Sequence, residues 1–348
     1  MSVRAAFAIP GDLATLTGGY GYDREALARV PAYGVDVRHL ALPQGFPFPS
    51  VEALAQTQAL LADVEAGDVL LCDGLAYGAV PAPILKQVRA KIVALVHHPL
   101  ALETGLSAQA AQSLFESEKV ALTCARAVIV SSHLTKDILI RDYGVEARRI
   151  HVALPGTERA PRAVGSGGSV HLLAVGSVVP RKAYDVLLSA LETCTDLDWS
   201  LTIAGSLARA PEYADEVLRH AASALSDRIQ FAGEVSAAAL EALYARSDLF
   251  VMSSHFEGYG MVLGEAMVRG LPIVMTCGGA MAQTVPEGVA LTVAPGDVHA
   301  LGQSLRQAIS DRALRQRLAE ASYAAGQDLP TWDETAQIIA QVLKEVAA

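Results

Sequence analysis

The stretch LFVMSSHFEGYGMVLGEAMVRGLPIV, residues 249–274, decides the fold. It opens with an apolar run that ends in Ser253-Ser254, as a buried strand does at its carboxyl end. A short loop then carries Glu257, Gly258 and Gly260, and a helical segment starts near Met261 and carries Glu265. A second apolar run, LPIVMT (271–276), follows at once. Strand, loop, helix and strand in this order form a βαβ unit, which calls for a parallel sheet. The glycines let backbone approach a ligand closely, and the free amides at the helix start offer a phosphate cradle. Glu257 and Glu265 flank that cradle. Carboxylates so placed grip hydroxyl groups, each charged hydrogen bond being worth about 1.5–3 kcal/mol.

The same alternation runs outward in both directions. Upstream, AAFAI (5–9), VDVRHLAL (35–42), VLLC (69–72), KIVALVHH (91–98), AVIVSS (127–132) and RIHVALP (149–155) read as strands. VEALAQTQALLADVE and SAQAAQSLFESEKVALTC read as helices between them, with apolar residues recurring at three and four. Downstream the rhythm restarts with VHLLAVG (170–176), SLTIAG (200–205) and RIQFAG (228–233). Helices are expected at about 183–194, 212–225, 236–246 and 260–269. Between the halves, ERAPRAVGSGGSV (158–170) has no periodicity and reads as an interdomain linker. The expected architecture is α/β: two Rossmann-like domains, 1–162 and 168–329, with parallel sheets facing a central cleft where ligands bind. The closing amphipathic helix, TWDETAQIIAQVLKEVAA (331–348), has no strand to cover in the second domain and is expected to pack back on the first.

Composition narrows the function. The 348 residues are 52% hydrophobic but 5% aromatic, which suits helices on buried parallel strands better than a β-sandwich. A formal charge of -10 argues against a nucleic-acid or anionic-lipid surface. Cys72, Cys124, Cys194 and Cys277 are scattered, so neither a zinc site nor a disulfide framework is expected, and the thiols read as reduced and buried. MSVRAAFAIPGD is too short for a signal peptide and no apolar run reaches transmembrane length, so a cytoplasmic protein is expected.

Residues 249–274 resemble the E-x7-E motif of retaining glycosyltransferases of family four, which have the GT-B fold. The resemblance implies that Glu257 lies by the donor sugar and Glu265 holds the nucleotide's ribose hydroxyls. The intervening backbone (Gly258, Tyr259, Gly260, Met261, Val262, Leu263) then binds donor, with the amides from Gly260 on at the distal phosphate. Thr17-Gly18-Gly19 follows the first strand where the family has a Gly-Gly loop over the diphosphate, which assigns Gly18 and Gly19 to donor binding. VVPRKAYDVLLSAL (178–191) is similar to the family's lysine-bearing turn and puts Lys182 on the donor phosphates. A lysine at a helix start opposes the helix dipole, which favours an anionic ligand there. The turn departs from the family in two places. Ser177 stands where many members carry an arginine, leaving Arg181 as the candidate replacement, and Ala183 replaces the usual glycine. In VALVHHPLALETGL (93–106) the resemblance puts a histidine near the reaction centre, and His98, nearer the loop, is chosen over His97. Glu103 reads as a surface-loop residue within reach of either.

The implied activity is hexosyl transfer from a nucleotide-diphosphate sugar, with retention, to a small-molecule, glycan or lipid acceptor. No side chain is placed for double displacement, so a front-face mechanism is expected, with no metal and no cofactor. Alternatives are a phosphorylase or nucleotide-sugar epimerase on the same fold, or a catalytically silent sugar-nucleotide-binding protein. Asp196-Leu197-Asp198 matches a metal-holding D-x-D but precedes a strand instead of following one, and reads as a solvated turn. Gly258-x-Gly260-x-x-x-Gly264 mimics a dinucleotide fingerprint without its ribose-binding acid, which argues against a dehydrogenase. Donor base, sugar, acceptor and oligomeric state stay open.

Overall fold

A computed structural model describes residues 3–225 and 227–348, so Met1 and Ser2 of the amino-terminal segment lie outside the described residues. The chain divides into two compact units, Met1–Gly156 with Pro330–Ala348, and Thr157–Leu329.

The first unit runs β1 (Val3–Pro10), α1 (Gly18–Arg29), β2 (Val35–Leu42), α2 (Val51–Ala62), β3 (Val69–Asp73), α3 (Gly74–Tyr77), α4 (Ala82–Leu85), β4 (Lys91–Val96), α5 (Ala108–Leu122), β5 (Ala127–Val130), α6 (His133–Arg141) and β6 (Ile150–Val152). The second runs β7 (Val170–Val175), α7 (Tyr184–Glu192), β8 (Trp199–Ala204), α8 (Pro211–Ala224), β9 (Ile229–Gly233), α9 (Ala237–Ala245), β10 (Leu249–Met252), α10 (Met261–Val268), β11 (Ile273–Thr276), α11 (Met281–Thr284), β12 (Ala290–Val293), α12 (Val298–Ser310) and α13 (Arg312–Gln327). Each unit is built on a six-stranded sheet, ordered β2-β1-β3-β4-β5-β6 and β12-β11-β10-β7-β8-β9, with all described pairings parallel. Both are Rossmann-like.

The order reverses once in each sheet, between β1 and β3 and between β7 and β10. Connections leave such a point in opposite directions and open a crevice at the strands' carboxyl ends. Both strand faces are covered, which explains the continuous apolar runs. In the second unit Leu172, Ala174, Val251 and Val274 pack with α7 and α12 residues, while Leu173, Phe250, Met252 and Ile273 pack with α10 residues.

The strand ends differ from the sequence reading in a consistent way. Ser131-Ser132, Ser253-Ser254 and His97-His98 lie past the last paired residue, where the chain leaves the sheet for the crevice. Strand β12 was not anticipated, because it is a half-buried edge strand without a strong apolar run.

The last helix, α14 (Trp332–Ala347), belongs to the first unit. Thr331 and Glu334 form a reciprocal capping box, and the Thr335 hydroxyl donates to the Leu154 carbonyl at 2.6 Å. Ile339, Val342 and Leu343 are buried, each such side chain contributing about 1.5–3 kcal/mol. Residues 158–163, drawn above into the first domain and its linker, lie on the second unit. Arg159 donates to the carbonyls of Gly326 and Gln327, Arg162 pairs with both oxygens of Glu320 and stacks on Tyr323, and the Ala163 amide bonds to the Arg269 carbonyl. Two arginines with partners hold this stretch down despite its polar composition.

All four cysteines are free, but Cys277 is exposed and Cys124 partly so, which corrects the expectation of uniformly buried thiols. Among the described residues no helix is long and apolar enough to cross a membrane.

Candidate functional site

The switch point of the second unit collects the motif residues. The loop after β7 supplies Arg181 and Lys182, the loop after β10 supplies Glu257, and α10 carries Glu265. The two loops are stitched together. Ser253 Oγ donates to the Lys182 carbonyl at 2.8 Å, and the His255 amide donates to the Arg181 carbonyl at 2.8 Å. Lys182 Nζ stands 2.8 Å from Glu257 Oε1 and Arg181 Nη1 stands 2.7 Å from Glu257 Oε2. Burial would push the Glu257 carboxyl up, but the two cations outweigh it and hold it at about 2. Glu257 is fixed from the other side too, its amide and carbonyl bonding to Gly278 and Ala280 in the loop after β11. Around Glu257 the site therefore sets two cations against one carboxylate.

Gly258 and Tyr259 bridge Glu257 to Gly260, which caps α10 with φ of 88°. A side chain is disfavoured in that left-handed conformation, and no side chain caps the helix. The first-turn amides at Met261 and Val262 thus keep their donors for an anion, while Leu263 donates back to Gly260. Gly176, with φ of 149°, lets Lys182 cross β7's end, because a Cβ there would come within 2.7 Å of Lys182 Cε. Ala183, the family's missing glycine, adopts φ of 50° while fully buried. That costs about 1–2 kcal/mol in an L residue. The turn keeps its shape without its usual residue.

Glu265 has a partner that the sequence did not disclose. The Tyr244 hydroxyl, from α9, donates to Glu265 Oε2 at 2.7 Å, and Arg269 lies 4.6 Å over the Tyr244 ring. Burial pushes the Glu265 carboxyl up, with Tyr244 and Arg269 opposing. Asp196, of the D-x-D stretch, takes both guanidinium nitrogens of Arg306 at a turn, at 2.6 and 2.8 Å.

In the first unit Gly18 and Gly19 are the first residues of α1, capped by Thr17, where a loop was expected. His98 and exposed Glu103 pair at 3.3 Å. His97 is the more enclosed histidine. Its Nε2 lies 3.3 Å from Asp23 Oδ1 and 3.3 Å from Asp73 Oδ2, both acids being buried. Burial would push the imidazole down, yet the two carboxylates outweigh it and raise it. Burial and the Asp73 charge push the Asp23 carboxyl up. The sequence reading missed both acids. The available signal was an aspartate closing the wholly buried strand VLLCD, where an unneeded charge is costly.

Residues 158–325 match the family described as glycosyl transferases group 1, and residues 5–156 match the glycosyl transferase 4-like domain. Mannosylfructose-phosphate synthase of Agrobacterium fabrum is 29% identical over 233 residues, 60% of this chain and 51% of that protein. Glycogen synthase of Mycobacterium tuberculosis is 30% identical over 209 residues, 59% of this chain and 48% of that protein. The chain spans about half the length of these curated relatives. Among solved structures, sucrose-phosphate synthase of Thermosynechococcus elongatus superposes with a TM-score of 0.82 at 21% identity over 99% of this chain and 98% of that one. Anabaena HepE in complex with UDP and glucose gives 0.79 at 18% identity, over 99% and 100%. The two matched stretches take in both Rossmann-like units, and the chain belongs to the family-four glycosyltransferases of GT-B fold.

Proposed function

We propose that the protein transfers a hexosyl group from a nucleotide-diphosphate sugar to an acceptor, with retention and without metal at the diphosphate. The observation that carries this reading is the convergence of Arg181, Lys182 and the uncapped start of α10 at one switch point, with Glu265 one turn further along the helix. Two cations and free amides suit a diphosphate without a divalent ion to neutralise it. The binding of UDP and glucose by the structural neighbour HepE supports a nucleotide sugar as donor.

In the proposed reaction the bond from the sugar's anomeric carbon to the diphosphate oxygen breaks while the acceptor oxygen bonds to that carbon from the same face. The leaving diphosphate takes the acceptor's proton. Lys182 and Arg181 stabilise the charge that develops on it, Glu257 orients the sugar hydroxyls, and Glu265 holds the ribose. His98, Gly18 and Gly19 are the first unit's proposed contributors. No cofactor is used.

Glu265→Gln tests the ribose assignment, because the neutral amide keeps the shape and weakens the bond. Affinity for UDP or GDP, whichever binds the unaltered protein, should fall by roughly 1–3 kcal/mol in calorimetry, with little change in melting temperature. Unchanged affinity for the nucleotide would sink the assignment. Added chelator should leave the same affinity unaltered.

A further inference from the structure

We infer that Tyr244 is a positioning residue for donor recognition: its hydroxyl fixes the Glu265 carboxylate in the orientation that takes the ribose hydroxyls of the nucleotide. The inference rests on the ribose reading of Glu265 and adds the residue that makes that contact selective. Tyr244 lies on α9, outside the loop and helix that carry the motif, and acts through Glu265.

Two helix faces meet at this point. Glu241 and Tyr244 are three residues apart on α9, while Glu265 and Arg269 are four apart on α10 and its cap, so each pair shares a face. The Tyr244 hydroxyl donates to Glu265 Oε2 at 2.7 Å, the length of a charge-assisted bond from a hydroxyl to a carboxylate. Its other near acceptor, the Val262 carbonyl, lies at 3.5 Å, so the single proton goes to the carboxylate. Arg269 Nη1 donates to the Glu265 carbonyl at 2.8 Å, and its Nη2 pairs with Glu241.

The ring that carries the hydroxyl is itself held. Phe250 of β10 stacks on it with centroids 6.0 Å and planes 21° apart, and the Arg269 guanidinium lies 4.6 Å over it. A ring so packed keeps its hydroxyl in place, and Glu265 Oε2 is pinned with it. Burial and the Glu265 charge push the hydroxyl well above its ordinary pKa, which keeps it protonated as a donor. Tyr244 is only 1% exposed, and filling that space would need no more than the ring of phenylalanine, which brings no polar atom to be answered. An unheld carboxylate rotates about its last bond and loses that freedom when a ligand arrives. With Oε2 held, the plane of the group and the direction in which Oε1 accepts are set before the nucleotide binds, which removes that ordering cost from binding.

The test compares a nucleoside diphosphate with its 2′,3′-dideoxy form, which lacks both ribose hydroxyls, by calorimetry on the full chain. UDP or GDP is used, whichever binds the unaltered protein. Tyr244→Phe keeps the ring and removes the donor. It should weaken the hydroxyl-bearing nucleotide by roughly threefold to thirtyfold and leave the dideoxy form within about twofold. The preference for ribose then narrows, a result that loosened packing alone does not produce. An unchanged preference in the folded variant, whether both affinities hold or both fall together, would overturn the inference. Arg269→Lys loses the flat stack on the ring and should narrow the preference by a smaller factor, so it decides the question if Tyr244→Phe does not fold. Glu265→Gln with the same ligands separates the two assignments. A preference lost there but kept in Tyr244→Phe removes this inference alone, and a preference kept in Glu265→Gln removes the ribose reading and this inference with it.

Discussion

Two crevices of the same topological kind differ in what the chain places there. At the β7/β10 switch point two cations enclose one carboxylate, and a helix start without a side-chain cap lies beside them. At the β1/β3 switch point two buried carboxylates enclose one imidazole. The backbone supplies a crevice in both, and the side chains set its sign. The cations of the second crevice suit an anionic donor, while in the first the imidazole already answers the two acids. Fold therefore accounts for where these sites lie, and residue chemistry for what they take.

The comparison breaks most sharply at Lys182. If this cation acts on the departing diphosphate, Lys182→Ala should lower kcat and kcat/KM together by on the order of a hundredfold. Arg181 grips the other oxygen of Glu257, so Arg181→Ala should cost a smaller factor in the same assay. A larger loss for the arginine would make it the principal clamp in place of the arginine missing at Ser177.

Glu257→Gln tests the internal balance of the positive crevice. Removing one charge takes a carboxylate away from two largely buried cations, and the second unit should lose about 1–3 kcal/mol of stability. Trp199, buried in that unit, reports its unfolding, while Trp332 reports the first. Affinity for nucleoside diphosphate should not fall with the stability. A parallel fall would mean that the glutamate, and not the cations alone, builds the anion site.

A pH effect belongs to the first unit. Glu118 lies under the loop that follows His97-His98, accepting the Leu100 amide at 3.0 Å, and burial pushes its carboxyl up to about 8. The folded chain then holds a proton that the unfolded chain releases at the ordinary carboxylate value. Its contribution to stability is complete below that value and is lost as pH rises through about 8. Glu118→Gln should remove this dependence, so that Trp332-monitored melting of the variant falls less than the unaltered protein's over that window. Identical pH profiles would refute the assignment.

The smallest expected effect is at the β7 turn. Ala183→Gly relieves about 1–2 kcal/mol of left-handed strain but loses about 0.8 kcal/mol of methyl burial and about 0.4–1 kcal/mol through unfolded-state freedom. The net change in second-unit stability should stay within about 0.8 kcal/mol by these terms. A clear loss in chemical denaturation would mean that the methyl is a needed part of the core.

Much of this was readable before any coordinates. VDVRHLAL is strand β2 residue for residue, because eight residues between turn signals left no other register. Glu257, Arg181 and Lys182, named from the family resemblance of their loops, do come together at the ends of strands β7 and β10, their roles there being those proposed above. The linker was misread because composition records polarity and not partners, and Arg159 and Arg162 find theirs in α13 and just beyond it. Tyr244 was invisible as a partner of Glu265, since it belongs to the preceding helix.

What the sequence by itself determined is the alternation of buried strands and amphipathic helices, and the local motifs at strand ends. Both follow from periodicities and turn chemistry that act over a few residues. What only the tertiary structure decided is which distant residues share a crevice. Asp23, Asp73 and His97 are separated by an entire helix, strand or both, and Arg181 meets Glu257 across three helices and three strands. Strand order brings these residues together, and the order is set by how whole sheets bury their two faces, a global quantity that no short window of sequence contains.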